Sequence, residues 1–165
     1  MKRFIGSLGI ALLCASCATP FQRIGFMGGY SETQLSENIF QVFFRGNGYT
    51  SEERASDFSL LRSAELALAF GFKYFIIIDT GSSTKLSTYT TPRTTHTNGS
   101  GTISGNTVLG TATSYSTGGQ TYLISRPRAT NTIICFKDRP DFSGIYFNAE
   151  FVGNSIRYKY SIPKR

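Results

Sequence analysis

Four residues in this 165-residue chain have side chains that could carry chemistry: Cys135, His96, Glu65 and Asp79. A cysteine nucleophile needs a base to activate it. The only imidazole, His96, lies in a Thr-rich stretch with nothing apolar to hold it. Cys135 sits in Thr132-Ile133-Ile134-Cys135-Phe136, an apolar run, where a free cysteine behaves as a small hydrophobe. Its expected role is therefore inert core. Glu65 falls inside the apolar arc of a predicted helix. A buried carboxylate could transfer protons with a raised pKa, or could be a boundary residue bonded to backbone N–H groups or Arg62. No second carboxylate is placed beside it, so the bonded reading is preferred. Glu65 or Asp79 would otherwise be the acid or base of a hydrolase or lyase.

Other patterns are weaker. Gly46-Asn47-Gly48 before a helix invites a phosphate cradle, but the P-loop lysine is missing. Glu52 and Glu53 would repel an anion there, so a tight turn with a cap fits better. No Gly-x-Ser-x-Gly elbow occurs. Three cysteines and one histidine could at most just fill a Cys/His zinc site, and if Cys14 is removed and Cys17 lipidated as read below, too few remain. No catalytic residue, metal ligand or cofactor is expected.

The N-terminus carries the most specific signal. Lys2 and Arg3 precede a largely apolar run, Phe4 to Leu13, followed by small residues. This is the order of a secretory signal, and the run falls well short of the roughly 18 apolar residues of a membrane span. Cys14-Ala15-Ser16-Cys17 resembles the bacterial lipobox, with Cys14 where leucine is usual. The resemblance implies a signal peptide over residues 1–16, cleavage before Cys17, and lipidation of Cys17. One acyl chain holds a protein to a membrane marginally and two or more hold it stably. Ala18 and Thr19 lack the aspartate that retains many lipoproteins in the inner membrane, which favours the outer membrane. Residues 17–29, with Pro20, Gly25, Gly28 and Gly29, read as a lipidated tether, and the domain is expected from residue 30 to 165. Processing leaves Cys135 alone, so no intramolecular disulfide can form.

The elements that must position these residues follow from local patterns. Asn38 to Arg45 has the composition of a strand. Thr50 and Glu53 have capping-box spacing, predicting a helix to Phe70 with Gly71 as its stop. Phe58, Leu60, Leu61, Ala64, Ala67 and Leu68 form its apolar arc, opposite Ser56, Ser59, Arg62 and Ser63. Tyr74-Phe75-Ile76-Ile77-Ile78 reads as a central strand. Strand, helix, strand suggests a crossover unit or its split version.

Residues 81–122 differ in kind, since 27 of them are Gly, Ser or Thr. Gly105-Asn106 and Gly118-Gly119 punctuate the stretch as hairpin turns. It reads as a polar, partly ordered excursion, residues 82–119, most mobile over Arg93 to Ser100. Gln120 to Ser125 and Asn131 to Lys137 are two returning strands divided by Arg126-Pro127-Arg128. Phe147, Phe151, Ile156 and Tyr160 recur at helical spacing and predict a C-terminal helix that Gly153 and Asn154 weaken. The expected fold is α+β: a mixed or antiparallel sheet, a long helix and a C-terminal helix on one face, and a polar hairpin extension.

The formal charge is +7. Loss of Lys2 and Arg3 with the signal leaves fifteen basic and ten acidic side chains, net +5. Lys85, Arg93, Arg126, Arg128 and Lys137 carry the whole excess, in a segment from Thr80 with no acidic residue. Five charges are too sparse for nucleic acid. In an envelope the available anionic partners are lipid head groups and polymers, at about 1 kcal/mol per basic residue near the surface.

Gly29-Tyr30-Ser31-Glu32-Thr33-Gln34-Leu35, Phe43-Phe44-Arg45-Gly46-Asn47-Gly48-Tyr49-Thr50 and Leu60-Leu61-Arg62-Ser63-Ala64-Glu65 resemble a family of short, uncharacterised proteobacterial lipoproteins. That family shares the Ser/Thr/Gly-rich middle and a strand like Asn131 to Phe136. The resemblance implies a Gram-negative envelope lipoprotein and no catalytic residue. The expected function is a non-enzymatic interaction or assembly accessory module. It would be held to the outer membrane by its lipid anchor on the periplasmic side, with an envelope protein or anionic polymer as partner. The alternatives are a hydrolase or lyase acting on an envelope polymer, with Glu65 or Asp79 as acid or base, and a lipid or polysaccharide binder.

Overall fold

The computed structural model describes residues 17–164, so the segment read as a signal peptide lies outside the described residues. A five-stranded antiparallel sheet forms the body: β1 (Gly29–Ser36), β2 (Ile39–Arg45), β3 (Tyr74–Thr90), β6 (Thr121–Phe136) and β7 (Phe147–Asn148), in spatial order β1-β2-β6-β3-β7. Helix α1 (Glu52–Ala69) joins β2 to β3, and α2 (Ala149–Tyr160) follows β7. Strands β4 (Thr94–Ser104) and β5 (Thr107–Thr117) make a separate two-stranded sheet. The fold is α+β, as the residue patterns require.

β2 and β3 flank β6 and run antiparallel to it, hence parallel to each other. β2-α1-β3 is therefore the split form of the crossover unit. Alternation places Phe40, Val42 and Phe44 of β2 and Ala129, Ile133 and Cys135 of β6 in the core beside α1. Phe58 is the hub of the second core cluster, with edge-on contacts to Phe21 at 5.4 Å, Phe44 at 5.3 Å and Tyr160 at 5.0 Å. Fully burying such a side chain contributes roughly 1.5–3 kcal/mol.

Several expectations need correction. Ser51, not Thr50, caps α1: its side chain accepts from the Arg54 backbone N–H at 3.1 Å. The Thr50 hydroxyl instead meets the N-terminal segment. The helix ends where Gly71, at φ 80°, leaves the helical basin. Ser59 and Ser63 are fully buried, while Leu68 is exposed. The reason is that α1 is covered on two sides, by the sheet and by α2, so the buried arc is wider than one amphipathic face. Ser63 donates to the Ser59 carbonyl at 2.9 Å. Gly153 fits because it lies inside the α1–α2 contact, facing Ala64.

The stretch read as two strands around Pro127 is one strand. Pro127 survives there because β2 ends beside it. Its carbonyl, on the β2 side, accepts from Gly46 N–H at 2.8 Å, and its missing N–H points to that same side. Beyond this point β3 and β6 leave the body as a two-stranded ribbon, paired from Thr84↔Pro127 to Thr90↔Thr121. Of Arg93 to Ser100, expected to be the most mobile part, Thr94 to Ser100 is paired with Thr111 to Thr117. Gly105 at φ 63° makes the hairpin tip, but Gly118 and Gly119, at φ 85° and 73°, are not a hairpin turn: they carry the chain from β5 of the small sheet to β6 of the large one, and these two strands do not pair.

The tether is the largest correction. Thr19 is fully buried and Phe21 joins the core. Arg23 bridges Tyr30. The packed domain begins at Thr19, not near Tyr30.

Candidate functional site

Glu65 is held by two guanidinium groups. Arg62 reaches it from the preceding turn of α1 at 2.9 Å, and Arg157 of α2 at 2.6 Å. Arg62 also binds Glu32 of β1 at 3.0 Å and lies over the Tyr30 ring at 4.6 Å. Arg23 adds a further contact to Glu32 at 3.1 Å. The chain Glu32–Arg62–Glu65–Arg157 thus ties sheet edge, long helix and C-terminal helix together. Burial alone would lower the Arg62 pKa, but its hydrogen bonds to Glu32 and Glu65 outweigh this and hold it above its ordinary value. Both Glu65 oxygens are engaged with cations. The bonded reading of Glu65 fits this geometry, and Arg62 is the partner the sequence offered. Glu32 and Arg157 carried no local signal.

At the far end of the same helix pair, Lys159 binds Glu53 and Asp57, and the Tyr160 hydroxyl donates to Asp57 at 2.8 Å. The hydrogen bonds to Asp57 and Glu53 raise the Lys159 pKa, while burial first and the Asp57 bond second raise that of Tyr160.

The other candidate residues are apart. Cys135 is buried on β6, and burial pushes its thiol up to about 12, far from a thiolate at neutral pH. His96 lies on β4 in the other sheet, stacked on Tyr115 at 5.2 Å. Asp79 is exposed on β3, opposite Thr132 and beside a bulge that follows Ile77. Among the described residues no cluster of His, Cys, Asp or Glu is arranged to hold a metal.

The Gly46-Asn47-Gly48 loop has a different task. Its polar groups are committed to the segment after Cys17. The Asn47 backbone N–H donates to Thr19 Oγ1 at 2.8 Å, and Asn47 Nδ2 donates to the Cys17 carbonyl at 2.7 Å. Thr19 N–H donates to Thr50 Oγ1 at 3.0 Å, and the Thr19 hydroxyl donates to the Met27 carbonyl at 2.8 Å. Tyr49 N–H turns back to Asn47 Oδ1 at 3.0 Å. The loop is a clamp on the N-terminal strap, and these donors are not free for a phosphate. Cys17 itself is exposed at the edge of this clamp.

Around the clamp lies a groove of about 620 Å³. Phe26 and Met27, the tip of a tight turn closed by reciprocal Gly25–Gly28 hydrogen bonds at 3.1 Å, form one wall. Leu123 and Ile124 of the ribbon form another, with Tyr49, Arg45 and Arg126 at the rim. Its lining includes no acidic residue. The ribbon therefore leaves the body at the end where Cys17 sits. Thr90 and Thr121 pair their hydroxyls across the ribbon at 2.9 Å, and the β4–β5 hairpin beyond it carries a hydroxyl ladder, with Thr95–Ser116 at 2.8 Å and Thr97–Ser114 at 2.7 Å.

Comparison with known protein families, curated proteins and solved structures finds no match for this chain. Among the described residues no helix is long and apolar enough to cross a membrane.

Proposed function

We propose that this protein is an envelope lipoprotein, anchored through Cys17 to the periplasmic side of the outer membrane. In this reading it works without catalysis, as an interaction or assembly accessory module. The observation that carries the reading is the ordered N-terminal signal, with basic residues, an apolar run and then Cys14-Ala15-Ser16-Cys17. The exposure of Cys17 at the margin of the packed domain supports it. The engagement of Glu65 by two arginines favours a structural carboxylate over a hydrolase or lyase. The ribbon and the β4–β5 hairpin are the contact surface of this module. Every residue of β4 and β5 is exposed and none is charged, while the ribbon and its connection to the hairpin carry Lys85, Arg93, Arg126 and Arg128 with no acidic residue, suited to an envelope protein or anionic polymer.

The test is in-cell crosslinking and affinity purification of the tagged full chain. Two variants run beside it: Cys17→Ala, and a deletion of residues 92–118. Thr91 and Gly119 are joined by a 3.1 Å backbone hydrogen bond, so that deletion leaves neighbouring ends to connect. Enrichment of one envelope component that both variants lose supports an anchored adaptor. Enrichment unchanged by the deletion removes the hairpin as the contact. Retention of Cys17→Ala in the membrane fraction, with no acyl mass on the native chain, removes the anchor.

A further inference from the structure

The clamp removes the slack that a lipoprotein tether normally has. The Cys17 carbonyl is already bonded to Asn47, and Thr19, two residues on, is fully buried. If Cys17 carries the lipid, the surface beside it is brought to the lipid head groups with no linker between. That surface has an unusual composition for one in water. Phe26 is fully exposed at a turn tip, and Tyr49 and Leu123 are also largely exposed. Arg45 and Arg126 stand among them with no acidic residue in the groove. Exposed aromatic and aliphatic side chains mixed with cations are the chemistry that settles into the boundary of an anionic bilayer, about 5–10 Å deep. The two guanidinium groups match head-group phosphates.

We infer that this pole is a second, non-covalent membrane contact: the Phe26–Met27 turn and Leu123 enter the lipid interface while Arg45 and Arg126 hold head-group phosphates. The inference rests on the anchor reading and deepens it. The domain then has one orientation on the membrane instead of swinging from a leash. The root of the ribbon lies in the interface, and the Ser36–Ile39 end of β1 and β2 faces away from it. The geometry favours lipid over a protein occupant, because whatever holds Cys17 must face this groove.

The experiment uses the full chain purified from envelopes and reconstituted in vesicles of phosphatidylethanolamine and phosphatidylglycerol. Phe26→Cys, and separately Glu37→Cys, would be labelled with bimane. Glu37 lies in the turn at the opposite end of the β1–β2 hairpin. Cys135 is buried with an unreactive thiol and stays unlabelled. Quenching by spin-labelled lipid several-fold stronger at position 26 than at 37, reduced when Arg45→Glu and Arg126→Glu are added, supports the inference. Equal quenching at the two positions on an acylated chain overturns it and leaves the anchor standing. Intact mass showing an unmodified Cys17 overturns the anchor reading and this inference with it.

Discussion

The body and the arm of this molecule solve opposite problems with the same β3–β6 strand pair. Over Tyr74–Thr80 and Asn131–Phe136 that pair lies under α1, and Phe75, Ile133 and Cys135 are buried. From Thr84↔Pro127 outward, β2 and the helices fall away and nearly every side chain is in water. The chemistry changes at the same place, from Ile and Phe to Ser, Thr and Gly. A two-stranded ribbon is marginal by itself in water. The arm draws its order from continuous register with a buried sheet, from cross-strand hydroxyl pairs and from glycines at its turns. Stability is thus concentrated in one part of the chain and exposed backbone in the other.

The largest expected effect lies in the body. Phe58→Ala removes the hub of four aromatic rings and should cost about 3–5 kcal/mol in urea unfolding. A loss below 1 kcal/mol would mean that the cluster collapses around the gap and that body and arm differ less than their burial suggests. Next comes the seam between helices and sheet. Glu65→Ala leaves Arg157 without its carboxylate and should cost about 1.5–3 kcal/mol, toward the lower figure because these side chains keep 15–17% exposure. If Glu65→Ala is neutral, the network is a solvated decoration and only the aromatic core joins the layers. The smallest effect is expected in the arm. Deleting residues 92–118 should leave the unfolding free energy within about 0.5 kcal/mol of that of the whole chain. Hydrogen exchange of β4 and β5 amides should be far faster than that of β2 and β6. Slow exchange in the isolated chain would break the contrast and make the arm part of the cooperative unit.

What could be read from residues alone follows from the range of the forces. Helix α1 and its stop at Gly71, the strand over Ile39–Arg45, the Ile-rich strand from Tyr74, the hairpin turn at Gly105, and α2 are written in spacing of a few residues. Local propensity and capping act over that distance. The assignment of Cys135 to the core was legible for the same reason. The cap at Ser51 was missed by one position because Thr50, an equally good cap by type, is occupied by Thr19, 31 residues away. Ser59 and Ser63 looked polar because a helical wheel counts one partner face, and α1 has two. Pro127 looked like a break because its neighbour on the sheet ends beside it, which no local pattern reveals.

For the candidate site the division is sharper. The sequence alone marked Cys17, Glu65 and the Gly46-Asn47-Gly48 loop, since each is a residue type or short motif with its own chemistry. Tertiary structure alone decided what they do together. It brought Glu32 and Arg157 to Arg62 and Glu65, closed the loop on Thr19, and set the Phe26 turn beside Leu123. Those contacts join residues dozens of positions apart, and loop closure and packing select them against a conformational entropy that no local motif records. The sequence determined that the chain has a processed-looking start, a globular α+β body and a polar arm. Only the fold decided that start, arm and groove share one pole, because that depends on which ends of strands meet once the core has been buried.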